Sequence, residues 1–245
     1  MNPVLTSLSL SFALLAPGVA ISAPQFFYGL NEGSGAEYVN FIGSLGGSLI
    51  TETFDSFERQ NIAKADGLDI AFGKISGSSK FMRVENEVEL GRHPVSGANY
   101  LLSSTSYFDL SFTTAVNGFG FYGIDIGDYT GGLILQVFYE GETGADGTYR
   151  VAGGSSGIDP GVNGDVFFWG ISNADKAISS IRFWNTHAYS NPAHQSNADW
   201  FAFDDMSVIR ASNDVPEPGS LALMALGLSG FSLRRLRATG KTRQA

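Results

Sequence analysis

The feature that most constrains the fold is a series of short runs rich in Phe, Tyr, Ile, Val and Thr, separated by Gly, Asn, Asp and Ser between residues 24 and 215. Runs of this composition, bounded by turn residues, are typical of β-strands. No amphipathic helix pattern of useful length occurs, and only residues 174–179 indicate a helical turn. Because many strands follow one another without intervening helices, the sequence predicts an all-β fold, a single antiparallel β-sandwich of the jelly-roll type.

Alternation within two of these runs indicates which faces are buried. In residues 118–126, Phe119 and Phe121 fall on one face, which predicts a central strand lining the core. In residues 81–89, Val84 and Val88 alternate with charged residues, which predicts a half-exposed strand. The other predicted strands cover residues 47–57, 67–74, 107–113, 132–140, 148–151, 166–171, 180–184 and 200–209.

Composition excludes several classes of protein. Hydrophobic residues make up 43% of the chain, enough to bury a core, so disorder is not expected. The sequence has no Cys, which excludes disulfides, thiolate metal sites and a Cys nucleophile. Its formal net charge is −9, and residues 24–215 have 10 Lys and Arg against 23 Asp and Glu, a net charge of −13. Since nucleic-acid binding needs a basic surface, no nucleic-acid partner is expected.

The N-terminal segment has the features of an export signal. An apolar run over residues 5–16 precedes Pro17 and Gly18, which break a helix, and small residues follow up to Ala23. The segment has no Lys or Arg before the apolar run, and a buried N-terminal strand or helix is the alternative interpretation. We predict a signal peptide over residues 1–23, removed by signal peptidase, and an exported β-sandwich domain over residues 24–212.

The C-terminal residues 213–245 combine three parts in a fixed order. The first is a stiff, extended stretch formed by Pro216, Glu217 and Pro218. The second is an apolar segment, residues 221–233, which as a short helix covers about 20 Å of a hydrocarbon core about 30 Å thick. The third is a cluster of arginines that favours the cytoplasmic face of a membrane, namely Arg234, Arg235 and Arg237.

This order of parts resembles the PEP-CTERM sorting signal of exported bacterial proteins. The resemblance implies recognition near Pro-Glu-Pro by exosortase, a membrane protease-transpeptidase, while the apolar helix holds the protein transiently at the inner membrane. It also implies a mature protein on the cell surface or in the extracellular matrix of a bacterium that makes exopolysaccharide and biofilm. An ordinary C-terminal membrane helix is the alternative. The body, through residues 53–57, 66–72 and 203–208, is similar in layout to PEP-CTERM ectodomains of the jelly-roll type.

Adjacent carboxylates in the last predicted strand suggest a structural cation site. Neighbouring strand residues point to opposite sides, so either Asp204 or Asp205 must face the core or a neighbouring strand. A charge there is costly unless it is paired or bound to a cation, and Ca²⁺ takes roughly 6–8 oxygen ligands. We predict a structural calcium held by Asp205 with Glu52 or Asp55. The alternative is that these carboxylates bind backbone amides.

Aromatic and polar residues near the C-terminal end of the body suggest a carbohydrate contact. The candidate residues are Trp184, His187, Tyr189 and Trp200, which flank or lie in a polar stretch over residues 185–197. Sugar rings stack their C–H faces on aromatic rings, and their hydroxyl groups bind amide side chains. The alternative is a surface loop whose aromatic side chains fold back onto the sandwich.

Catalytic motifs are missing from the sequence. It has no G-x-S-x-G elbow, and nothing in it pairs a particular Ser with one of its 3 His residues. We therefore predict a structural or adhesive protein without catalytic activity. The first alternative is a carbohydrate-binding module for exopolysaccharide. The second alternative is a sandwich-fold hydrolase or lyase that acts on matrix glycan and uses paired carboxylates.

Overall fold

A computed structural model of the chain describes residues 23–77, 82–127, 132–152, 163–186 and 200–211, with the side chain of residue 211 left out. Two antiparallel sheets pack face to face in this part of the chain. The predicted all-β sandwich is therefore confirmed. The predicted signal peptide and the C-terminal apolar helix lie outside the described residues.

The strands and helices follow one another in this order: β1 (Gln25–Leu30), a 3₁₀ turn (Asn31–Gly33), α1 (Ser34–Gly43), β2 (Gly47–Glu52), β3 (Gln60–Asn61), β4 (Leu68–Ile70), β5 (Gly73–Gly77), β6 (Met82–Glu85), β7 (Tyr100–Ser103), β8 (Tyr107–Val116), β9 (Gly118–Ile124), β10 (Leu133–Tyr139), β11 (Gly147–Ala152), β12 (Val166–Ser172), β13 (Ile178–Asn185) and β14 (Phe201–Ala211). Every pairing between these strands is antiparallel.

The eight-stranded sheet is organised around its long last strand, β14. Its main path is β1-β12-β9-β14-β7-β6-β3, and β2 also pairs with β14. One edge of β14 pairs with β9. The other edge pairs first with β7, up to Phe203, and then with β2, from Met206 onward. The strand thus changes partner at Asp204 and Asp205, where a bulge interrupts its register with β9.

The six-stranded sheet has the order β11-β10-β13-β8-β5-β4. Its inner face contributes Leu110, Leu135 and Phe183 to the main core, which they share with the inner face of the other sheet. Phe119 and Phe121 of β9 are fully buried in this core, as the alternation in residues 118–126 predicted. Phe183 lies 5.5 Å from Phe121 in an edge-to-face arrangement, the geometry that aromatic rings favour.

Helix α1 covers the outer face of the eight-stranded sheet and was not predicted. Phe41 is fully buried there, 5.5 Å from the ring of Phe168. Gly118 and Gly170 leave room for the Phe41 ring. A Cβ atom on Gly118 would lie 3.2 Å from the ring and one on Gly170 3.0 Å, both closer than ordinary contact. The prediction missed the helix because its sequence, SGAEYVNFIG, is poor in strong helix formers. Its stability therefore comes from packing on the sheet.

The run over residues 81–89 differs from its prediction. Strand β6 ends at Glu85, and Val88 lies beyond it with 75% of its surface exposed. Glu85, predicted to be on the solvent side, is fully buried, and Arg59 and Arg83 pair with it at 2.7 and 2.9 Å. The alternation correctly predicted that Val84 faces the core. Glu85 lies on the opposite face, but it is buried as well, in ion pairs with the two arginines.

Both ends of the described domain lie at one end of the sandwich. Gln25 pairs with Ser172, Ser172 with Gly118, and Gly118 with Ile209, two residues before the described part ends. We call this the exit end. Strand β8 also finishes there, because one residue separates Val116 from β9. The far end of the six-stranded sheet is accordingly the end that contains Tyr107 and Asn185. Among the described residues, no helix is long and apolar enough to cross a membrane.

Candidate functional site

The outer face of the six-stranded sheet has two aligned rows of side chains near its far end. In β13, Phe183 points into the core, so Trp184 and Arg182 point outward. The strand register places Ile134 and Tyr107 on either side of Trp184. It also places Gln136 and Asp109 on either side of Arg182 in the second row. We call this arrangement the Trp184 face.

Gln136 fixes the indole ring of Trp184. The indole Nε1–H donates a hydrogen bond of 2.9 Å to Oε1 of Gln136. Because the indole nitrogen can only donate, the amide oxygen of Gln136 must face the ring, and its amide N–H groups point elsewhere. The Tyr107 ring lies 5.0 Å from the Trp184 ring, at 46° to it. A cleft of about 240 Å³ opens beside these groups, lined by Ile134, Gln136, Thr148, Trp184 and Thr186.

A paired arginine supports the two rings from the second row. Arg182 donates from Nε and Nη2 to the two carboxylate oxygens of Asp109, at 2.6 and 2.9 Å. Its guanidinium carbon lies 4.7 Å from the centre of the Tyr107 ring and 5.6 Å from that of Trp184. The hydrogen bonds that Arg182 donates to Asp109 raise the pKa of Arg182, so the guanidinium group keeps its charge. The rings are therefore held by a fixed polar frame.

The structure separates the predicted carbohydrate-contact residues. Trp200 packs on the outer face of the eight-stranded sheet, against Tyr100 and Leu102, with Arg83 5.4 Å from its ring. Trp184 lies on the outer face of the other sheet, so the two indole rings do not form one contact surface. The predicted residues His187 and Tyr189 lie outside the described residues. The described part adds Tyr107, Gln136 and the Arg182–Asp109 pair, which the prediction did not name.

The acidic pair in β14 lies where that strand changes partner. Asp204 is fully buried and Asp205 partly exposed, so one carboxylate does face inward, as predicted. Asp204 accepts hydrogen bonds from the backbone N–H groups of Val95, Ser96 and Asp205, at 2.7, 3.0 and 2.7 Å. Burial raises the pKa of Asp204 to about 7, and the charge of Asp205 adds to the increase, against the opposing effect of these N–H groups.

One further aspartate, Asp55, joins this pair around residues 95–99. We call Asp55, Asp204 and Asp205 the carboxylate junction. Asp205 accepts a 2.6 Å hydrogen bond from the Ser96 hydroxyl group, and burial raises its pKa. Asp55 accepts from the backbone N–H groups of Ala98 and Asn99 at 2.7 and 3.0 Å. The hydrogen bond from Ala98 is the main cause that lowers the pKa of Asp55. The three carboxylates thus hold one loop through its own amide and hydroxyl groups.

Glu52, the third predicted calcium ligand, has a different set of partners. Its two carboxylate oxygens accept hydrogen bonds from the backbone N–H groups of Phe54 and Ala71, at 2.8 and 3.1 Å. Within the described ranges, no group of three or more His, Asp or Glu side chains is arranged to hold a metal ion. The calcium site stays a prediction. The hydrogen bonds to Glu52 and Asp55 follow the backbone-amide alternative, while Asp205 accepts from the Ser96 hydroxyl group.

Comparison with known proteins identifies the C-terminal segment. Residues 214–237 match the PEP-CTERM protein-sorting motif. The chain is therefore a β-sandwich protein that carries a PEP-CTERM sorting motif, as its resemblance implied. A motif of this kind implies an exported protein that exosortase recognises. No curated protein matches the chain.

Solved structures similar to this chain include two bacterial adhesin domains and a carbohydrate complex. The K2 cleaved adhesin domain of Lys-gingipain has 14% identity and a TM-score of 0.43, over 67% of this chain and 99% of that one. The K1 cleaved adhesin domain, from Porphyromonas gingivalis W83, has 10% identity and a TM-score of 0.41, over 68% and 100%. TmCBM61 in complex with beta-1,4-galactotriose has 15% identity and a TM-score of 0.31, over 62% and 99%.

Proposed function

We propose that this chain is a structural or adhesive protein without catalytic activity, processed by exosortase and displayed on the bacterial surface or in the extracellular matrix. The observation that carries the proposal is the polarity of the sandwich. The chain leaves the described domain at the exit end, and the Trp184 face lies near the far end. A domain attached by its tail at the exit end presents this face outward.

The distances support such a display. Trp184 is six residues along β13 from Ile178, which at about 3.3 Å per residue is about 20 Å from the exit end. Pro216 follows the last described residue by five positions, which span at most about 18 Å. The chain therefore leaves the described domain at the exit end a few residues before the sorting motif, while the Trp184 face lies near the opposite end of the sheet.

Carbohydrate binding is the second candidate function, and the cleft beside Trp184 favours it. A half-buried indole next to amide and hydroxyl groups suits a sugar ring, which has both C–H and hydroxyl surfaces. The third candidate, a glycan hydrolase or lyase, requires two carboxylates at an open site. Within the junction, Asp204 and Asp55 accept backbone N–H groups and Asp205 accepts the Ser96 hydroxyl group.

Intact mass and cell fractionation test the export and processing. Exported wild-type protein should lack residues 221–245. A variant with Pro216, Glu217 and Pro218 replaced by Ala should keep them and remain in the membrane fraction. A mature surface protein whose mass includes residues 221–245 would contradict the proposed processing.

Attachment assays test the adhesive role. Cells that express the protein should be retained in a flow chamber or biofilm more than cells that lack it. Equal retention would contradict an adhesive role. Sugar release from matrix polysaccharide by the purified protein, abolished by Asp204→Asn or another carboxylate-to-amide change, would support the hydrolase alternative instead.

A further inference from the structure

The two rows of the Trp184 face form an elongated surface on which a chain-like ligand can lie. Ile134, Trp184 and Tyr107 lie side by side on β10, β13 and β8. Adjacent strands are about 4.8 Å apart, so each row extends about 10 Å across the sheet. The first row is apolar and aromatic, and the second supplies amide, guanidinium and carboxylate groups. A ligand along the rows would meet an apolar strip beside a polar one.

The groups of this face are fixed before a ligand arrives. The Trp184 ring is held by its hydrogen bond to Gln136 and lies against the Tyr107 ring. Arg182 is held by two hydrogen bonds to Asp109. Little side-chain freedom is left to lose on binding, and this lowers the entropic cost of association.

We propose that the Trp184 face binds an uncharged polysaccharide, with one sugar ring stacked on Trp184 and hydroxyl groups bound by Gln136 and Thr148. This inference rests on the proposed display of the sandwich on the cell surface and names the ligand class of its outward face. The indole supplies a flat apolar surface for sugar C–H groups. The amide of Gln136 and the exposed hydroxyl group of Thr148 line the same cleft.

Charge favours an uncharged glycan over a polyanionic one. The charge of Arg182 is neutralised by Asp109 within the face. The surrounding domain, residues 24–215, has 10 basic against 23 acidic residues and repels polyanions at long range. Arg150, which pairs with Ile134 across β10 and β11, is exposed and is one of these 10 basic residues.

Affinity electrophoresis of the exported protein tests the proposal. The gels contain either an uncharged polysaccharide (hydroxyethyl cellulose, xyloglucan, galactomannan or the uncharged fraction of the host matrix) or an acidic one (alginate or polygalacturonate). We expect retardation in at least one uncharged gel and none in the acidic gels. Trp184→Ala and Thr148→Arg should each weaken binding about tenfold or more, as loss of a central aromatic contact or a filled cleft does.

Thr113→Arg is the matched control for Thr148→Arg. Thr113 is also exposed on a strand of the six-stranded sheet, but near the exit end, so this change should leave retardation unaltered. Retardation only in acidic gels, no retardation in any gel, or equal binding by Thr148→Arg and wild type would each overturn the proposal. Because Thr148 is exposed, its variant keeps the test valid if Trp184→Ala fails to fold. If cells are retained in the flow chamber but the protein is not slowed in any polysaccharide gel, this inference is overturned and the adhesive function still stands.

Discussion

The buried carboxylate of Asp204 accepts a 2.7 Å hydrogen bond from the backbone N–H of Val95, which lies 109 residues earlier in the chain. The contact fills the place where β14 leaves β7 and has not yet joined β2. Without this carboxylate, backbone N–H groups of the partly buried loop would lose their acceptor at this gap in the strand pairing. The acidic side chains therefore complete the hydrogen bonding of the sheet where β14 changes partner.

Removal of the Asp204 carboxylate should destabilise the domain. Asp204→Ala leaves three part-buried backbone N–H groups without their acceptor, and loss of a hydrogen bond to a carboxylate costs about 1–3 kcal/mol. We expect the free energy of unfolding to fall by about 3 kcal/mol or more, measured by urea denaturation. Asp69→Ala is the control, since Asp69 is exposed and its distance to Lys74 is 3.6 Å; its effect should stay within about 0.5 kcal/mol. Equal effects of the two changes would contradict the assigned role.

The same carboxylate should make stability depend on pH. Burial raises the pKa of Asp204 from 3.8 to about 7, so the folded protein binds this proton more tightly than the unfolded chain does. The contribution of the proton to stability is complete below the unfolded value and is lost as pH rises through the folded value. Titration of Asp204 should therefore lower the free energy of unfolding as pH rises from about 4 to about 7.

Asp204→Asn cannot titrate and provides the comparison for this pH dependence. Its free energy of unfolding should decrease less than that of the wild type over the same pH interval. The pKa of Asp55 and that of Glu85 are lowered from 3.8 and 4.5, so the stabilisation that these groups provide is lost as pH falls below those values, with a sign opposite to the effect of Asp204. Parallel curves for wild type and Asp204→Asn would rule out Asp204 as the titrating group.

Gly97 should resist substitution for two separate reasons. Its φ angle is +60°, which non-glycine residues rarely adopt, and a Cβ atom there would collide with the Asp55 carboxylate. Gly141 has a φ angle of +80°, but a Cβ atom there would meet nothing within 4 Å, so Gly141→Ala isolates the backbone strain. We expect about 1–2 kcal/mol for Gly141→Ala and clearly more for Gly97→Ala. Similar melting temperatures for the two variants would contradict the close contact with Asp55.

The sequence predicted those elements whose pattern is local. Strand β9 was predicted because Phe119 and Phe121 alternate with small residues, and the sorting motif because its three parts are contiguous. Helix α1 was missed because packing of Phe41 on the sheet, and not helix propensity, stabilises it. Glu85 does lie on the face opposite Val84, but its burial there was missed because it depends on Arg59, from a different part of the chain.

The candidate site likewise depends on contacts between distant parts of the chain, which local patterns do not predict. The sequence indicated Trp184 through its composition, but grouped it with Trp200 because the two are close in the chain. Trp184 lies in β13 and Trp200 directly precedes β14, and these two strands belong to different sheets, which only the strand order reveals. Gln136 and Tyr107 could be assigned to outward-facing positions by alternation within their strands. That they flank β13 is a property of the pairing between strands, which no local pattern contains.

Chelation of calcium decides between the two explanations of the carboxylate junction. The described hydrogen bonds give Asp55, Asp205 and Glu52 partners within the protein. If these hydrogen bonds alone stabilise the carboxylates, the melting temperature in excess EDTA should equal that in millimolar calcium. A bound calcium would instead stabilise the folded state in proportion to the logarithm of its concentration over its dissociation constant, so EDTA would lower the melting temperature.

We expect no change with EDTA, because a calcium ion needs roughly 6–8 oxygen ligands and these carboxylates already accept N–H or O–H groups. Asp205→Asn is the variant that sharpens the test. It keeps an oxygen acceptor for the Ser96 hydroxyl group but removes the charge that a cation requires. A melting temperature that falls in EDTA for the wild type, and does not respond to EDTA in Asp205→Asn, would establish calcium at the junction and overturn the backbone-amide explanation.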